Sequence, residues 1–250
     1  MSIKSLIYLL LEKFLSQFTD KIVCISKAER NSAIKRRIAN RDKLVLIPNG
    51  IDILAVQKAV SKSREELGID VNSYVIGMVG RISPQKAPDV FIQAAKLIQY
   101  KIPHAVFIIV GDGEEADSIV LYAKRNNIKL IVTGWVDNPY SYLKVFDVAL
   151  LLSRWEGFGL AIIEYMAANK NVVATNVDAI PTLIEDGVDG LLVDVDNPED
   201  VMTKVVYVYE HPVEAERMRK KAYDKVLANY SIDRVVEQHL LMFQELIAKR

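Results

Sequence analysis

Asp147-Val-Ala-Leu-Leu-Leu-Ser-Arg-Trp-Glu-Gly-Phe-Gly-Leu-Ala-Ile-Ile-Glu-Tyr-Met-Ala-Ala168 decides the fold. The apolar run from Asp147 to Ser153 reads as a strand buried on both faces, as in a parallel sheet. Residues 160–168 combine apolar spacing with alanine content and read as a helix. The segment between them is therefore a loop at the carboxyl end of a parallel strand, where open α/β sheets bind ligands. Gly157 and Gly159 let the backbone approach a ligand closely, and the unpaired amides at the helix start favour an anion. Glu156 in the loop and Glu164 about one turn into the helix can face one crevice. Carboxylates suit hydroxyl groups and amides suit phosphate, and a sugar nucleotide offers both.

Upstream and downstream of this stretch the chain alternates regularly. Strands are expected at 74–80, 105–110, 130–133, 172–175 and 190–193. Helices are expected at 87–99, 114–125, 139–145, 180–185 and 198–209, with Asp137 or Asn138 capping the third and Pro139 at its first position. Units of this length predict a doubly wound, Rossmann-like parallel sheet with right-handed crossovers. Two further helices, 213–229 and 232–248, follow, the second with Ser231 as cap. Before the alternation, 21–25 and 43–47 read as strands. Between them Ser26 and Glu29 form a capping-box pattern at the head of a basic helix reaching about Ala39, whose charges form a solvated face. Pro48-Asn49-Gly50 is a turn, and the charged segment 58–68 reads as a helical linker, placing a boundary near residues 50–70.

Residues 3–18, from Ile3 to Phe18, carry Leu6, Ile7, Leu10, Leu11, Phe14, Leu15 and Phe18 as one broad helical stripe. Two readings stand: a core helix, or a helix covered by another chain or a membrane surface. Glu12 and Lys13 interrupt the apolar run, so neither a signal peptide nor a membrane span is expected. The 32 basic and 32 acidic side chains cancel, which argues against wholesale nucleic-acid binding. The single cysteine, Cys24, cannot build a disulfide framework and reads as a buried thiol in a reducing, cytoplasmic compartment.

Other candidate chemistry clusters at strand ends. Gly80-Arg81-Ile82-Ser83-Pro84-Gln85-Lys86 leaves the first strand of the alternation. Its two cations can clamp a diphosphate, Arg81 as a fork and Lys86 as a point charge; the alternative is solvated surface charge. Gly111-Asp112-Gly113 is an incomplete dinucleotide fingerprint followed by Glu114 and Glu115, which compete with phosphate for the helix dipole. It reads as a tight turn lining the cleft. Gly134-Trp135-Val136 either lays backbone groups along a base edge or carries a buried strand-end tryptophan. Asp194 and Asp196 read as helix-capping acids rather than as a metal pair. His104, His211 and His239 lack ligand spacing, so no metal is expected.

Taken together, these motifs resemble the retaining glycosyltransferases of family 4, which have the GT-B fold. The resemblance rests on Glu156-x7-Glu164 with its internal Gly-Phe-Gly, Ile47-Pro-Asn-Gly-Ile-Asp52, Gly80-Arg-Ile-x3-Lys86, Val110-Gly-Asp-Gly113, Gly134-Trp-Val136 and Gly187-Val-Asp-Gly-Leu-Leu-Val193. These motifs occur in the family's order from about Thr19 onward. The resemblance implies a nucleotide-diphosphate sugar as donor, with UDP favoured, and no metal. Arg81, Lys86 and Glu156 would be catalytic: the cations would steady the departing diphosphate and Glu156 would hold the sugar. Glu164 would bind the ribose. Gly80, Gly111, Trp135, Val136 and the backbone of Gly157, Phe158, Gly159 and Leu160 would complete the donor site.

Three departures from the pattern stand out: Ala87 after the lysine, Asn169-Lys170-Asn171 in place of Gly-Lys-Pro, and Asp178-Ala179 in place of Gly-Gly. The resemblance also implies that residues 1–50 are the remnant of an N-terminal acceptor domain. Residues 51–230 would be the donor domain, and 231–250 a helix that packs back toward the missing half. A separate acceptor subunit would then dock on the stripe at 3–18 and on Ile232–Ala248. The expected function is sugar transfer to a glycan or lipid-linked acceptor in polysaccharide assembly, in the cytoplasm or at the inner membrane face. A non-catalytic nucleotide-sugar-binding subunit is the alternative, and a dehydrogenase is disfavoured by the incomplete glycine fingerprint.

Overall fold

The structure is a computed structural model and describes residues 3–248, with side chains from residue 6 onward. Helix α1 (Ile3–Leu15) leads to a small parallel pair, β1 (Ile22–Cys24) and β2 (Leu44–Leu46), crossed by α2 (Lys27–Lys35). Ser26 Oγ accepts from Glu29 N–H at 3.0 Å, and the Glu29 carboxylate reaches back to Ile25 N–H. That is the reciprocal capping the sequence predicts. The helix stops at Lys35 rather than near Ala39. Arg37 turns left-handed and Ile38 N–H returns to Ala33 O, satisfying the last carbonyls.

The linker differs more. Helix α3 (Ile53–Lys58) forms where none is expected, because Asp52 caps it by accepting from Ala55 N–H at 2.9 Å. The predicted helix at 58–68 does not form. Ser63 and Glu66 do make a reciprocal capping box, but Gly68, at φ 66°, ends the segment after one turn. Arg64 then ties the turn to Ser73 O and to Asp147.

The main body follows in strict alternation. Its elements are β3 (Tyr74–Val79), α4 (Pro88–Lys101), β4 (Ala105–Val110), α5 (Ala116–Arg125), β5 (Leu130–Val132), α6 (Tyr140–Leu143) and β6 (Val148–Leu151). After these come α7 (Leu160–Ala167), β7 (Asn171–Thr175), α8 (Ile180–Leu183), β8 (Leu191–Val193), α9 (Pro198–Glu210), α10 (Pro212–Asn229) and α11 (Ile232–Ala248). The six strands pair in parallel in the order β5-β4-β3-β6-β7-β8. This is the doubly wound order in which the chain reverses its direction of growth between β3 and β6.

Side-chain alternation splits the core in two. Ile76, Met78, Phe107, Ile109, Val148 and Leu150 face α4 and α9. Val75, Val106, Ile108, Ala149 and Leu151 face the layer of α3, α7 and α10.

The β3–β6 ladder is short: Ile76 pairs with Val148 and Gly77 with Ala149, and no later pair forms. Beyond that point the strands part and Val79 N–H donates to the fully buried Tyr165 hydroxyl at 2.8 Å. Tyr165 satisfies a backbone group that strand pairing no longer reaches, and the crevice opens above it. The last helix starts from the domain junction. Ile51 N–H donates to Tyr230 O and Ile232 N–H to Ile51 O. A Cβ on Gly50 would lie 2.8 Å from Ser231 O, so the helix start can sit there only against a glycine.

Candidate active site

Three loops leave the carboxyl ends of β3, β4 and β6 and meet over the switch point. After β3, Gly80 takes φ 152° and its N–H donates to Val110 O at 3.0 Å. A Cβ on Gly111 would stand 2.1 Å from Gly80 O, and one on Gly113 would stand 2.3 Å from Ile82 O. The Gly-Asp-Gly turn is thus a close backbone contact that holds the β3 loop, in keeping with its reading as a tight turn. Gly111 also bridges to Gly134.

Gly80, Arg81, Gly111, Trp135 and Val136 line one cavity of about 260 Å³ at this edge, with Val79, Val110, Asp112 and Pro139. Trp135 is 76% exposed, so the buried strand-end alternative is excluded. Arg81 is exposed, and no acidic partner holds it among the described residues.

Glu164 lies in the second turn of α7, partly buried, and accepts a hydrogen bond from Tyr140 Oη at 3.0 Å. Desolvation pushes its carboxyl pKa up, opposed by the Tyr140 hydrogen bond. Tyr140 follows Pro139, a residue of that cavity's lining, so the hydrogen bond ties Glu164 to the segment beside it.

Glu156 is turned toward the other side. Lys86 Nζ lies 2.5 Å from Glu156 Oε2, with side chains only 19% and 12% exposed, and Ser153 Oγ donates to the same oxygen. A desolvated pair of this kind is a strong charge-assisted contact. Glu156 N–H is itself held by Asp178 Oδ2 at 2.9 Å. With Gly157, Trp155 and Asp178, Glu156 faces a larger hollow of about 640 Å³, whose far wall is Glu12, Leu15, Ser26, Glu29 and Arg36 of the N-terminal segment. Glu156 thus borders the larger hollow, while Glu164 is held by Tyr140.

Gly159 (φ 98°) heads α7, leaving the first amides of the helix without helical acceptors. The Phe158 side chain is buried against Tyr230, so only its backbone faces the site.

Two sequence expectations need correction. Asp194 and Asp196 do not cap α9. Asn197 does, accepting from Asp200 N–H at 3.0 Å, while Asp196 pairs with Arg154 and Asp194 donates its N–H to Asp200. At α6 the expected Asn138 cap is present, its Oδ1 accepting from Tyr140 N–H at 3.1 Å, but the helix begins at Tyr140, so Pro139 precedes it rather than holding its first position. Tyr140, Ser153, Asp178, Arg154 and Tyr165 escaped sequence reading. Only Asp178 left a trace, as a departure from glycine. The structure gives that trace a common cause: Ala87, Asn169 and Asp178 all sit at left-handed φ (49°, 57° and 47°), backbone that glycine adopts without strain.

A parallel sheet of order β5-β4-β3-β6-β7-β8, with glycine loops and an ion pair over its switch point, defines a Rossmann-like domain of the GT-B class. Residues 60–225 match the family described as glycosyl transferases group 1, and the chain belongs to that family.

Among curated proteins it is 30% identical, over 98% of its length, to the UDP-Gal:alpha-D-GlcNAc-diphosphoundecaprenol alpha-1,3-galactosyltransferase of Escherichia coli, and spans 65% of that protein. Among solved structures it resembles HepE of Anabaena in complex with UDP, with a TM-score of 0.84 and 21% identity over 92% of this chain and 65% of that one. It also matches the C-terminal domain of the group 1 family protein LpcC of Francisella tularensis, with a TM-score of 0.65 and 25% identity over 73% of this chain and 100% of that one. The chain spans between 35% and 65% of the length of the curated relatives it matches.

Proposed function

We propose that the chain is the donor-binding half of a retaining family 4 glycosyltransferase that takes a UDP-sugar. It moves the hexosyl group with retention to a glycan or lipid-linked acceptor. The observation that carries this reading is the Lys86–Glu156 pair across the switch point, beside the cavity of Gly80, Arg81, Gly111, Trp135 and Val136. In this reading the base lies along Trp135 and Val136, and Glu164 holds the ribose hydroxyls with Tyr140 orienting its carboxylate. Arg81 and Lys86 receive the diphosphate, assisted by the amides of Gly157, Phe158, Gly159 and Leu160. As the bond between the sugar's anomeric carbon and the phosphate oxygen breaks, these fixed cations stabilise the charge on the leaving group, so no metal is needed. Glu156, shared between Lys86 and the sugar hydroxyls, fixes the sugar for attack from the face the diphosphate leaves.

The domain assignment extends from this reading. Residues 1–50 belong to the N-terminal acceptor domain, 51–230 are the donor domain and 231–250 the returning helix. The acceptor half packs on the stripe from Ile3 to Phe18 and on Ile232–Ala248. Leu10, Phe14, Phe18, Val236, Leu240 and Phe243 are all more than half or half exposed there. The relative that acts on a diphosphoundecaprenol-linked sugar supports a lipid-linked acceptor and a position at the cytoplasmic membrane face.

These exposed faces also favour a second reading, a nucleotide-sugar-binding subunit without transfer. The two are separated by supplying an acceptor-domain chain of the family together with UDP-galactose, UDP-glucose or UDP-N-acetylglucosamine and a GlcNAc-diphosphoprenol acceptor. UDP release with an α-linked product by NMR supports transfer with retention. A β-linked product overturns retention, and saturable UDP binding without any transfer favours the binding subunit.

A further inference from the structure

Arg154 stands two residues before Glu156 and contributes nothing to the surface of either hollow, yet it contacts the β3 loop, the start of α4 and the turn after β8. Its backbone N–H donates to Gln85 O at 2.8 Å, its Nη1 donates to Pro84 O at 2.8 Å, and Gln85 Nε2 returns to Trp155 O at 3.0 Å. These bonds join the turn just before Lys86 to the turn just before Glu156. The strand ladder does not do so, since β3 and β6 part after Gly77 and Ala149. The guanidinium is fixed from both sides: Nη2 lies 2.6 Å from Asp89 Oδ2 at the start of α4, and Nε lies 2.7 Å from Asp196 Oδ1 after β8. Two carboxylates and a carbonyl engage the guanidinium, so little of its charge is left for a phosphate. Its five-donor fork meets three directions at once, which a lysine ammonium on a flexible stem cannot reproduce.

We infer that Arg154 is a positioning residue for sugar transfer, setting the distance between Lys86 and Glu156 by clamping the 84–85 turn to its own loop. The inference rests on the reading of that crevice as the donor site. Arg154 touches no substrate; it acts by keeping Lys86 where the diphosphate will lie. Without the guanidinium the loops keep the Arg154 N–H to Gln85 O and Gln85 Nε2 to Trp155 O bonds but lose the hold on Pro84, Asp89 and Asp196 that fixes how the Lys86 turn sits, and a shift of about 1 Å is enough to misplace a charge-assisted contact.

The test is a double-mutant cycle on UDP affinity, measured by calorimetry on the full chain: wild type, Arg154→Lys, Lys86→Met and the double variant, each checked for folding by circular dichroism and melting. The expected result is a roughly tenfold weaker affinity for Arg154→Lys and a double variant no weaker than Lys86→Met alone, because the clamp has nothing left to position. A merely structural role would cost the same affinity in both backgrounds. Multiplicative losses, or wild-type affinity in Arg154→Lys, overturn the inference while leaving the donor site intact. Wild-type affinity in Lys86→Met overturns the donor-site reading and this inference with it. If Arg154→Lys does not fold, Asp196→Asn, which releases the guanidinium on its exposed side, takes its place in the same cycle with the same criteria.

Discussion

Gly111 has backbone oxygen where any other residue would have a side chain. Its Cβ would fall 2.1 Å from Gly80 O, and both partners are main chain, so no rotamer change relieves the contact. Gly111→Ala is expected to cost about 3 kcal/mol in stability and to weaken UDP binding by displacing the Gly80–Arg81 turn; denaturant melts and calorimetry would show both. Ala87 is a milder case, fully buried at φ 49°. Left-handed backbone costs an alanine about 1–2 kcal/mol. Replacement by glycine removes that strain but also a buried methyl, about 0.8 kcal/mol, and adds about 0.5–1 kcal/mol of chain entropy. These terms nearly cancel, so Ala87→Gly should melt within about 3 °C of wild type. A loss of more than about 2 kcal/mol would show that the strain is not stored there.

Glu164 is tuned against stability. Its folded-state pKa is raised by desolvation, so the ionised carboxylate costs folding energy at neutral pH. The penalty is absent below the ordinary glutamate pKa of about 4.3, grows as pH rises through it, and levels off above the folded value. Glu164→Gln, which can still accept from Tyr140, should therefore raise the melting temperature at pH 7. The gain should vanish toward pH 4, and UDP affinity should fall at every pH. A variant less stable than wild type at pH 7 would contradict this account.

At the scale of elements, the parallel strands and most helix positions were legible because period, length and turn residues agreed. Strand Ala105–Val110 and helix Ile232–Ala248 match their expected bounds. Where the reading failed, one local interaction outweighed the pattern. Asp52 created α3 by capping, Gly68 stopped the charged segment after one turn, and Asn197 rather than Asp194 or Asp196 capped α9. Asn197→Ala should therefore cost about 1 kcal/mol, while Asp194→Asn, whose carboxylate holds no helix N–H, should change stability by less than about 0.5 kcal/mol. Equal losses in thermal melts would undo the assignment of the cap. The site was partly legible for the same reason. Glycines and charges at strand ends are visible in one dimension, whereas Tyr140, Tyr165 and Arg154 act across loops that only the sheet order brings together.

At the scale of the molecule, the six-stranded sheet is covered on both faces, but β1 and β2 form an isolated parallel pair with α1 and α11 presenting apolar side chains to solvent. Two parallel strands are too few to sustain a sheet of their own, which fits the proposed acceptor half closing over them. No described helix is long and apolar enough to cross a membrane. Everything proposed here depends on the crevice between β3 and β6 holding a nucleotide diphosphate. The most direct measurement is calorimetric titration of the full chain with UDP, GDP and ADP, beside a folded Arg81→Ala/Glu164→Ala variant. The account predicts saturable binding of UDP in preference to GDP and ADP, abolished in the double variant. Binding that survives the double substitution, or wild-type protein that binds none of the three, would contradict it.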